Sequence, residues 1–258
     1  MSDFDITAVI NGHHEGLLAY PSLKSLGESV TQAQQRGVKV QVIAVLDRPD
    51  KLTTEVFKSY ARGFPVQIIT VDYGDLGLSR NAAVNASKAK WIAFLDADDI
   101  WGSNWLWAAY QSAEREPRTV VWHPEVNVYF GDSPHLFLHV DMDNAEYDQL
   151  RLAYTNYWTA LCFVEKDVAV RIPYSETRID NQIGYEDWSW NMEIIAHGAL
   201  HKVVPQTAHA IRMKNLSLVK RTSGAGCLPR PSDLFRQMLA GRVDPTEVSL
   251  AKIFMSIR

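Results

Sequence analysis

The sequence predicts an α/β fold, with a mostly parallel central sheet flanked by helices and a smaller mixed region after it. Three observations carry this expectation. Apolar runs of strand length alternate with helical stretches of roughly 10 to 20 residues through the first half, the pattern of βαβ units. The run Trp91-Ile92-Ala93-Phe94-Leu95 is apolar throughout, as strands buried on both faces are, and it ends abruptly in Asp96-Ala97-Asp98-Asp99. A chain of 258 residues, 47 % hydrophobic and 22 % charged, suits one large globular domain or one domain with an appendage.

The elements follow in order. Residues 6–10 read as the first strand. Residues 17–35 are apolar at helical spacing, with Pro21 in the first turns, where its missing N–H is tolerated, and Gly37 as the stop. Residues 38–46 form a second strand closed by Asp47-Arg48-Pro49-Asp50, followed by a helix over 52–61 and a strand over 66–71. A short helix over 78–86 precedes the acid-tipped strand, and Ser103 is placed to cap the helix opening at Asn104-Trp105-Leu106. From about residue 120 the pattern loosens into short strands at 120–123, 126–130, 136–138 and 160–164, then a short helix at 166–170. A helix at 187–196 stops at Gly198, and strands at 202–204 and 208–213 complete the set. Residues 215–230 are polar, basic and glycine-containing and read as a mobile loop. Residues 233–239 read as a lone amphipathic helix, leading to a linker or a further segment.

Composition excludes several classes. A net charge of −4 gives no bulk attraction to nucleic acid. Cys162 and Cys227 lack metal or redox spacing, which points to a reducing compartment. No apolar stretch approaches the roughly 20 residues that span a bilayer, and the acidic start is unlike a signal peptide. The expectation is a cytoplasmic protein without a transmembrane segment. Most of the eight tryptophans are expected in the core, a few as a wall on which sugars stack.

Three carboxylates in four residues at the end of a buried strand are costly unless positive charge sits among them. A hard cation, Mg²⁺ or Mn²⁺, takes oxygen ligands and bridges carboxylates to substrate phosphates. The alternative is that Asp98 or Asp99 caps the next helix, for which Ser103 is better placed.

Four elements then resemble, in order, those of family 2 glycosyltransferases. Val9-Ile10-Asn11-Gly12-His13-His14-Glu15 is similar to V-I-P-x-Y-N-E, and Gly77-Leu78-Ser79-Arg80-Asn81-Ala82-Ala83 to the element ending in Arg-Asn. Phe94-Leu95-Asp96-Ala97-Asp98-Asp99 matches F-L-D-x-D-D, and Gly184-Tyr185-Glu186-Asp187-Trp188 resembles G-x-E-D-x. The resemblance implies a GT-A fold over residues 1–214, with a nucleotide-sugar half to about 120 and an acceptor half over about 121–214. It implies an inverting, metal-dependent transferase using a nucleotide-diphosphate sugar, a UDP-sugar by expectation.

Residue by residue, it implies that Asp96 and Asp98 serve the ribose side and the Mn²⁺ or Mg²⁺. A late-strand histidine is a third ligand in several relatives. His209 stands near that place, although a lone histidine is also commonly structural. Asp187 matches the general base, with an N-cap for the following helix as the other reading. Asp47 ends the second strand where an acid meets the base or ribose, and Arg80 can fork onto the base or diphosphate or lie on a helix surface. Asn11, His13 and Glu15 fall in the nucleotide site, where Asn11-Gly12-His13-His14 departs from the usual residues and His13 can stack on a base. Lys214, Lys220 and Arg221 either close over a diphosphate or form a solvated basic run. Trp158, Trp188 and Trp190 are candidates to stack on the acceptor, Trp188 first, with core packing the alternative.

The implied acceptor is a glycan or lipid-linked glycan met at the inner face of the membrane, with no nucleic-acid partner. Two other classes compete, a nucleotidyltransferase and a non-catalytic sugar- or nucleotide-binding module of a larger assembly. The first would carry a glycine-rich basic loop after the first strand, unlike Asn11-Gly12-His13-His14-Glu15. The second would have lost Asp96, Asp98 or Asp187, all of which are present.

Overall fold

The structure, a computed structural model, describes residues 2–214 and 218–242. The apolar runs of the first half form β1 (Phe4–Gly12), β2 (Val40–Asp47), β3 (Gln67–Val71) and β4 (Ala89–Asp96). Between them lie α1 (Ala19–Gln34), α2 (Lys51–Ala61) and α3 (Leu76–Ala86). Two of these helices begin where the sequence supplies a side-chain acceptor, Asp50 for Thr53 N at 2.7 Å and Asp75 for Leu78 N at 2.8 Å. α1 is entered through a 3-10 turn at Gly16–Leu18, so it starts at Ala19 rather than 17.

β1 pairs in parallel with β2 on one side and β4 on the other, with β3 beyond β2. The chain therefore winds one way and then the other from β1. The carboxyl ends of β1 and β4 lie side by side, Asn11 opposite Asp96, at the switch point where open α/β sheets receive ligands.

The second half departs from the predicted pattern. α4 (Trp105–Arg115) has Asn104 at its N-cap with no side-chain cap bond, so neither Ser103 nor the acids cap it. Asn104 Nδ2 instead reaches Gln206 O at 2.9 Å. β6 (Val120–Gly131) and β10 (Leu200–Met213) are each continuous where two short strands are predicted. They run parallel, with the register slipping between Val204 and Ala208. Pro124 stands opposite Val204 and has no N–H to offer, and the partner strand bulges there. Gln206 turns to φ 60° at the bulge, and its N–H is taken by Glu125 Oε2 at 2.8 Å.

β5 (Ile100–Trp101) lies antiparallel on β10, and β7 (His135–Leu138) antiparallel on β6. β8 (Phe163–Glu165) starts three residues later than predicted, because Cys162 N turns back to Ala160 O at 2.9 Å. It pairs antiparallel with both β4 and β6 and so joins the halves into one sheet, ordered β3-β2-β1-β4-β8-β6-β10-β5 among the described residues. α5 (Lys166–Arg171), β9 (Ile183–Gly184) and α6 (Glu186–Ala196) follow β8. The predicted loop over 215–230 is corrected in its described part. It holds α7 (Leu218–Gly224) and β11 (Leu228–Pro229), which pairs with β9, before α8 (Asp233–Arg242).

Alternation along the strands divides the core between two faces. Ile6, Ala8, Ile10, Ala44, Leu46 and Leu95 pack on α1 and α4 through Leu23, Leu26, Val30 and Trp105. Val9, Ile43, Val45, Ile92 and Phe94 pack on α3, α5 and α6 through Ala83, Val168 and Trp190. Full burial of each large side chain contributes about 1.5–3 kcal/mol. The second face matters most here, because Asn11, Asp47 and Asp96 continue its alternation to the strand ends.

Candidate functional site

Asp47 closes the end of β2. Its Oδ1 accepts Tyr73 N at 2.8 Å and Gly74 N at 2.9 Å, and its Oδ2 accepts Asp75 N at 2.8 Å and Ser79 Oγ at 3.2 Å. The acid predicted to touch the nucleotide instead ties the loop entering α3. Gly74 sits at φ 65° within this knot, a conformation that glycine adopts without strain.

Arg80 is likewise engaged rather than free. It is 1 % exposed, its Nη1 reaches Glu186 Oε1 at 2.9 Å and its Nη2 reaches both Asp96 oxygens at 3.2 Å. The guanidinium lies 5.4 Å from the Tyr174 ring. Burial works against its charge, but Asp96 and Glu186 hold its pKa above the ordinary arginine value. This places a cation between the end of β4 and the start of α6. Burial raises the Asp96 carboxyl while Arg80 opposes the shift.

Positive charge does sit among the acids, and this chain supplies it. Asp98 Oδ2 pairs with Lys214 Nζ at 2.5 Å. Asp99 is buried and accepts Arg212 N at 2.8 Å, while Arg212 Nε donates to Asp98 O at 3.3 Å. Burial and the charges of Asp98 and Asp96 push the Asp99 carboxyl well up. Glu15 belongs to the same cluster. Burial raises its carboxyl, Asp98 adds to the shift and Lys214 opposes it. Its Oε2 accepts His13 N at 2.5 Å. His13 and His14 are exposed and stacked, centroids 3.9 Å apart, with their ring nitrogens on Asp47 O and Arg48 O. Asn11 is buried at the switch point, and neither of its amide atoms has a hydrogen-bond partner.

The predicted metal set of Asp96, Asp98 and His209 does not converge. His209 is 1 % exposed, edge-on to Trp105 at 4.6 Å and beside Trp101 at 6.2 Å, in the core against α4. Burial drives its pKa well down, and the nearby His139 adds to the shift. It is a core histidine. No group of three His, Cys, Asp or Glu side chains among the described residues is arranged to hold an ion. Asp98 keeps some exposure at the end of β4, two residues beyond Asp96, and is the acid here that could ligate a divalent cation.

Asp187 lies in the first turn of α6. The N-cap is Tyr185, in the left-handed region at φ 54° with no side-chain cap bond, so Asp187 is not the cap. Its Oδ1 accepts Trp188 N at 2.8 Å and its Oδ2 accepts Asn156 Nδ2 at 3.3 Å. Burial, then the neighbouring Glu186 charge, push its carboxyl up to about 7, with Arg80 opposing. A carboxylate near 7 is poised to take a proton at neutral pH. Sequence reasoning missed Asn156, Arg212 and the Arg80–Glu186 pair, and no local signal marks them.

Of the tryptophans proposed to stack on sugars, two are core. Trp158 is 1 % exposed, and Trp190 stacks on Tyr174 at 4.7 Å with its indole N–H on Ile172 O. Trp188 is half-buried and donates to Leu152 O at 3.0 Å. Lys220 and Arg221 lie on α7, where Tyr185 Oη meets Ser223 Oγ at 2.7 Å. No described helix is long and apolar enough to cross a membrane.

Solved structures share this fold. S. aureus TarS 1–349 in complex with UDP superposes with a TM-score of 0.63 at 13 % identity, covering 94 % of this chain and 76 % of that one. The UDP-GlcNAc complex of the same protein gives 0.63 at 13 %, covering 96 % and 69 %. S. aureus TarS gives 0.61 at 12 % identity, with 94 % of this chain covering 46 % of that one. At these identities the likeness establishes the fold. No curated protein sequence matches significantly. The family model described as glycosyl transferase family 2 matches residues 17–170, more than half of the chain. The chain therefore belongs to glycosyl transferase family 2 and is a glycosyltransferase.

Proposed function

We propose that this enzyme is an inverting transferase that takes its sugar from a nucleoside diphosphate, a UDP-sugar, and passes it to a hydroxyl of a glycan or lipid-linked glycan. The observation that carries the reading is the environment of Asp187. A carboxyl raised to about 7 stands at the start of α6, tied through Glu186 and Arg80 to Asp96 at the strand end where a donor would lie. The TarS complexes with UDP and UDP-GlcNAc favour uridine as the nucleoside.

In this reading the ionised Asp187 takes the acceptor hydroxyl proton as that oxygen attacks the anomeric carbon from the face opposite the nucleotide. The bond from that carbon to the phosphate oxygen breaks, its electron pair leaves with the diphosphate, and the configuration inverts. A positioned base of this kind contributes about 10²–10⁴-fold. On the donor side the exposed His13–His14 stack offers an aromatic face to a base, and Asn11 lies at the switch point. Asp98, with Asp96, would hold Mg²⁺ or Mn²⁺ arriving with the diphosphate, and that ion supplies charge to the leaving group. Lys214 and Arg212 bring fixed positive charge to the same place. Residues 1–120 then act as the donor half and 121–214 as the acceptor half. A lipid-linked acceptor would bring the enzyme against a membrane at its cytoplasmic face.

The test is Asp187→Asn with Asp98→Ala beside it. Asp187→Asn should bind donor normally and lose about 10²–10⁴-fold in turnover. Near-normal transfer by that variant would remove Asp187 from the role. Asp98→Ala should lose Mn²⁺-dependent donor binding, and full wild-type activity in excess chelator would sink the metal requirement.

A further inference from the structure

Asn156 precedes two buried aromatics that hold its loop in place. Trp158 is 1 % exposed, donates its indole N–H to Val140 O at 2.6 Å and stacks on His201 at 4.1 Å. Asn156 Oδ1 receives Asn191 Nδ2 at 3.1 Å and Trp158 N at 3.4 Å. Two donors on the oxygen determine which way the amide faces, so its Nδ2 is the atom presented to Asp187 Oδ2 at 3.3 Å.

The support continues behind it. Asn191 stands one turn beyond Asp187 on α6, is 1 % exposed and also donates to Trp158 O at 3.3 Å. The backbone carbonyl of Asn191 is met by His201 Nε2 at 3.3 Å, and His201 Nδ1 is met by His123 Nε2 at 2.8 Å. A carbonyl cannot donate, so His201 carries its proton on Nε2 and accepts on Nδ1, which makes His123 Nε2–H the donor. The histidine pair thus braces the α6 backbone at Asn191, and the Asn191 side-chain amide supports Asn156. Burial depresses both imidazoles, His201 to about 3, so the chain is uncharged at neutral pH. It supports the helix turn behind Asp187 without adding a countercharge.

We propose that Asn156 is a positioning residue for the Asp187 carboxylate, holding Oδ2 through an amide oriented by Asn191 and Trp158 while the Trp188 N–H holds Oδ1. The proposal deepens the reading of Asp187 as general base and rests on it. Two N–H groups on different oxygens fix the carboxylate plane, and both bond best to its ionised form. The Trp188 N–H opposes burial and the Glu186 charge on α6. Arg80 on α3 acts in the same sense as the N–H groups, and Tyr129, Cys162 and Tyr174 also feel the Asp187 charge.

The experiment is a ¹³C carboxyl titration of Asp187 by NMR in the full chain, with Glu186 followed alongside because adjacent acids titrate as a pair. Asn156→Ala should raise the Asp187 midpoint by about one pH unit, a tenfold change in proton affinity. Asn156→Asp, nearly isosteric, should raise it further by placing a second carboxylate against the first. The acid limb of UDP release from UDP-GlcNAc with Mn²⁺ should move with the midpoint. A folded Asn156→Ala variant with the wild-type midpoint overturns the proposal. If that variant does not fold, an unchanged or lower midpoint in Asn156→Asp overturns it. Wild-type UDP release by Asp187→Asn would instead defeat the general-base reading and leave the titration result standing.

Discussion

The two sides of the switch point solve opposite electrostatic problems. On the proposed donor side most charged groups are already engaged, by countercharges or by neutral donors. Asp47 accepts four hydrogen bonds, Arg80 spans two carboxylates, Asp98 pairs with Lys214 and Asp99 accepts the Arg212 backbone N–H. On the proposed acceptor side Asp187 is met by neutral N–H groups, and its proton affinity is raised rather than quenched. The difference separates preorganisation from tuning. A donor pocket gains from rigid charges already paired, whereas a base must keep its proton affinity near the working pH.

The largest effect that would sharpen this contrast is acidification. His123, His139, His201 and His209 are all buried in the second half, whereas His13 and His14 of the first half are exposed. Burial lowers all four of the buried group, His139 to about 4 and His201 to about 3. Unfolded histidines take up protons near 6.5 while these resist. The stability they contribute is therefore complete above about pH 6.5 and is lost as pH falls towards the folded values. Each can contribute a slope of up to about 1.4 kcal/mol per pH unit. Hydrogen exchange at pH 5 should therefore accelerate in β6 and β10 before β1 and β4. Among the described residues His209 has no partner on either ring nitrogen and lies beside Trp101 and Trp105, so His209→Phe should flatten the pH dependence of the urea midpoint and keep activity. A slope as steep as wild type would break the assignment of acid sensitivity to this cluster.

Next in size is Arg80→Met. The side chain is similar in length but leaves Asp96 and Glu186 facing each other in the interior without their shared cation. Removing one member of a buried ionic cluster costs about 3–5 kcal/mol. The urea midpoint should fall accordingly, and a second change, Glu186→Gln, should recover part of the loss because the two sites share one interaction. Strict additivity of the two changes would show that Arg80 does not join the halves.

These assignments also show what a sequence can display. β1, β2 and β4 were legible because strands buried on both faces are dominated by apolar residues, and the acid cluster was legible because its members are neighbours in the chain. β6 and β10 looked like broken strands because Pro124 and the bulge at Gln206 interrupt the pattern but not the ladder. Trp158 and Trp190 looked like sugar platforms, since sequence does not separate a buried indole with a satisfied N–H from an exposed one. The site's decisive pairings join residues far apart, Arg80 with Glu186 across 106 positions and Asn156 with Asp187 across 31. Nothing local marks either partner.

The smallest change asks whether the donor side can disturb the base at a distance. Gly77 lies in the first turn of α3, where an added Cβ would come within 2.7 Å of Ser175 O and 3.3 Å of Tyr174 Cβ. In a free helix Gly→Ala would gain about 1 kcal/mol. Here a backbone oxygen is in the way, and overpacking typically costs about 1–3 kcal/mol, so a net loss of about 1 kcal/mol is expected for Gly77→Ala. The segment that must move is pinned to α3 by two 2.9 Å bonds between Asn81 and the Tyr174 backbone. The Tyr174 ring in turn lies 5.4 Å from Arg80 and stacks on Trp190 of α6 at 4.7 Å. Displacement would therefore loosen the Arg80–Glu186 contact and shift the Asp187 titration as well as the urea midpoint. A variant that loses stability with an unmoved Asp187 midpoint would confine the effect to α3. One as stable as wild type would show that the 174–175 segment yields freely, and that the packing against α3 is less rigid than the Asn81–Tyr174 bonds imply.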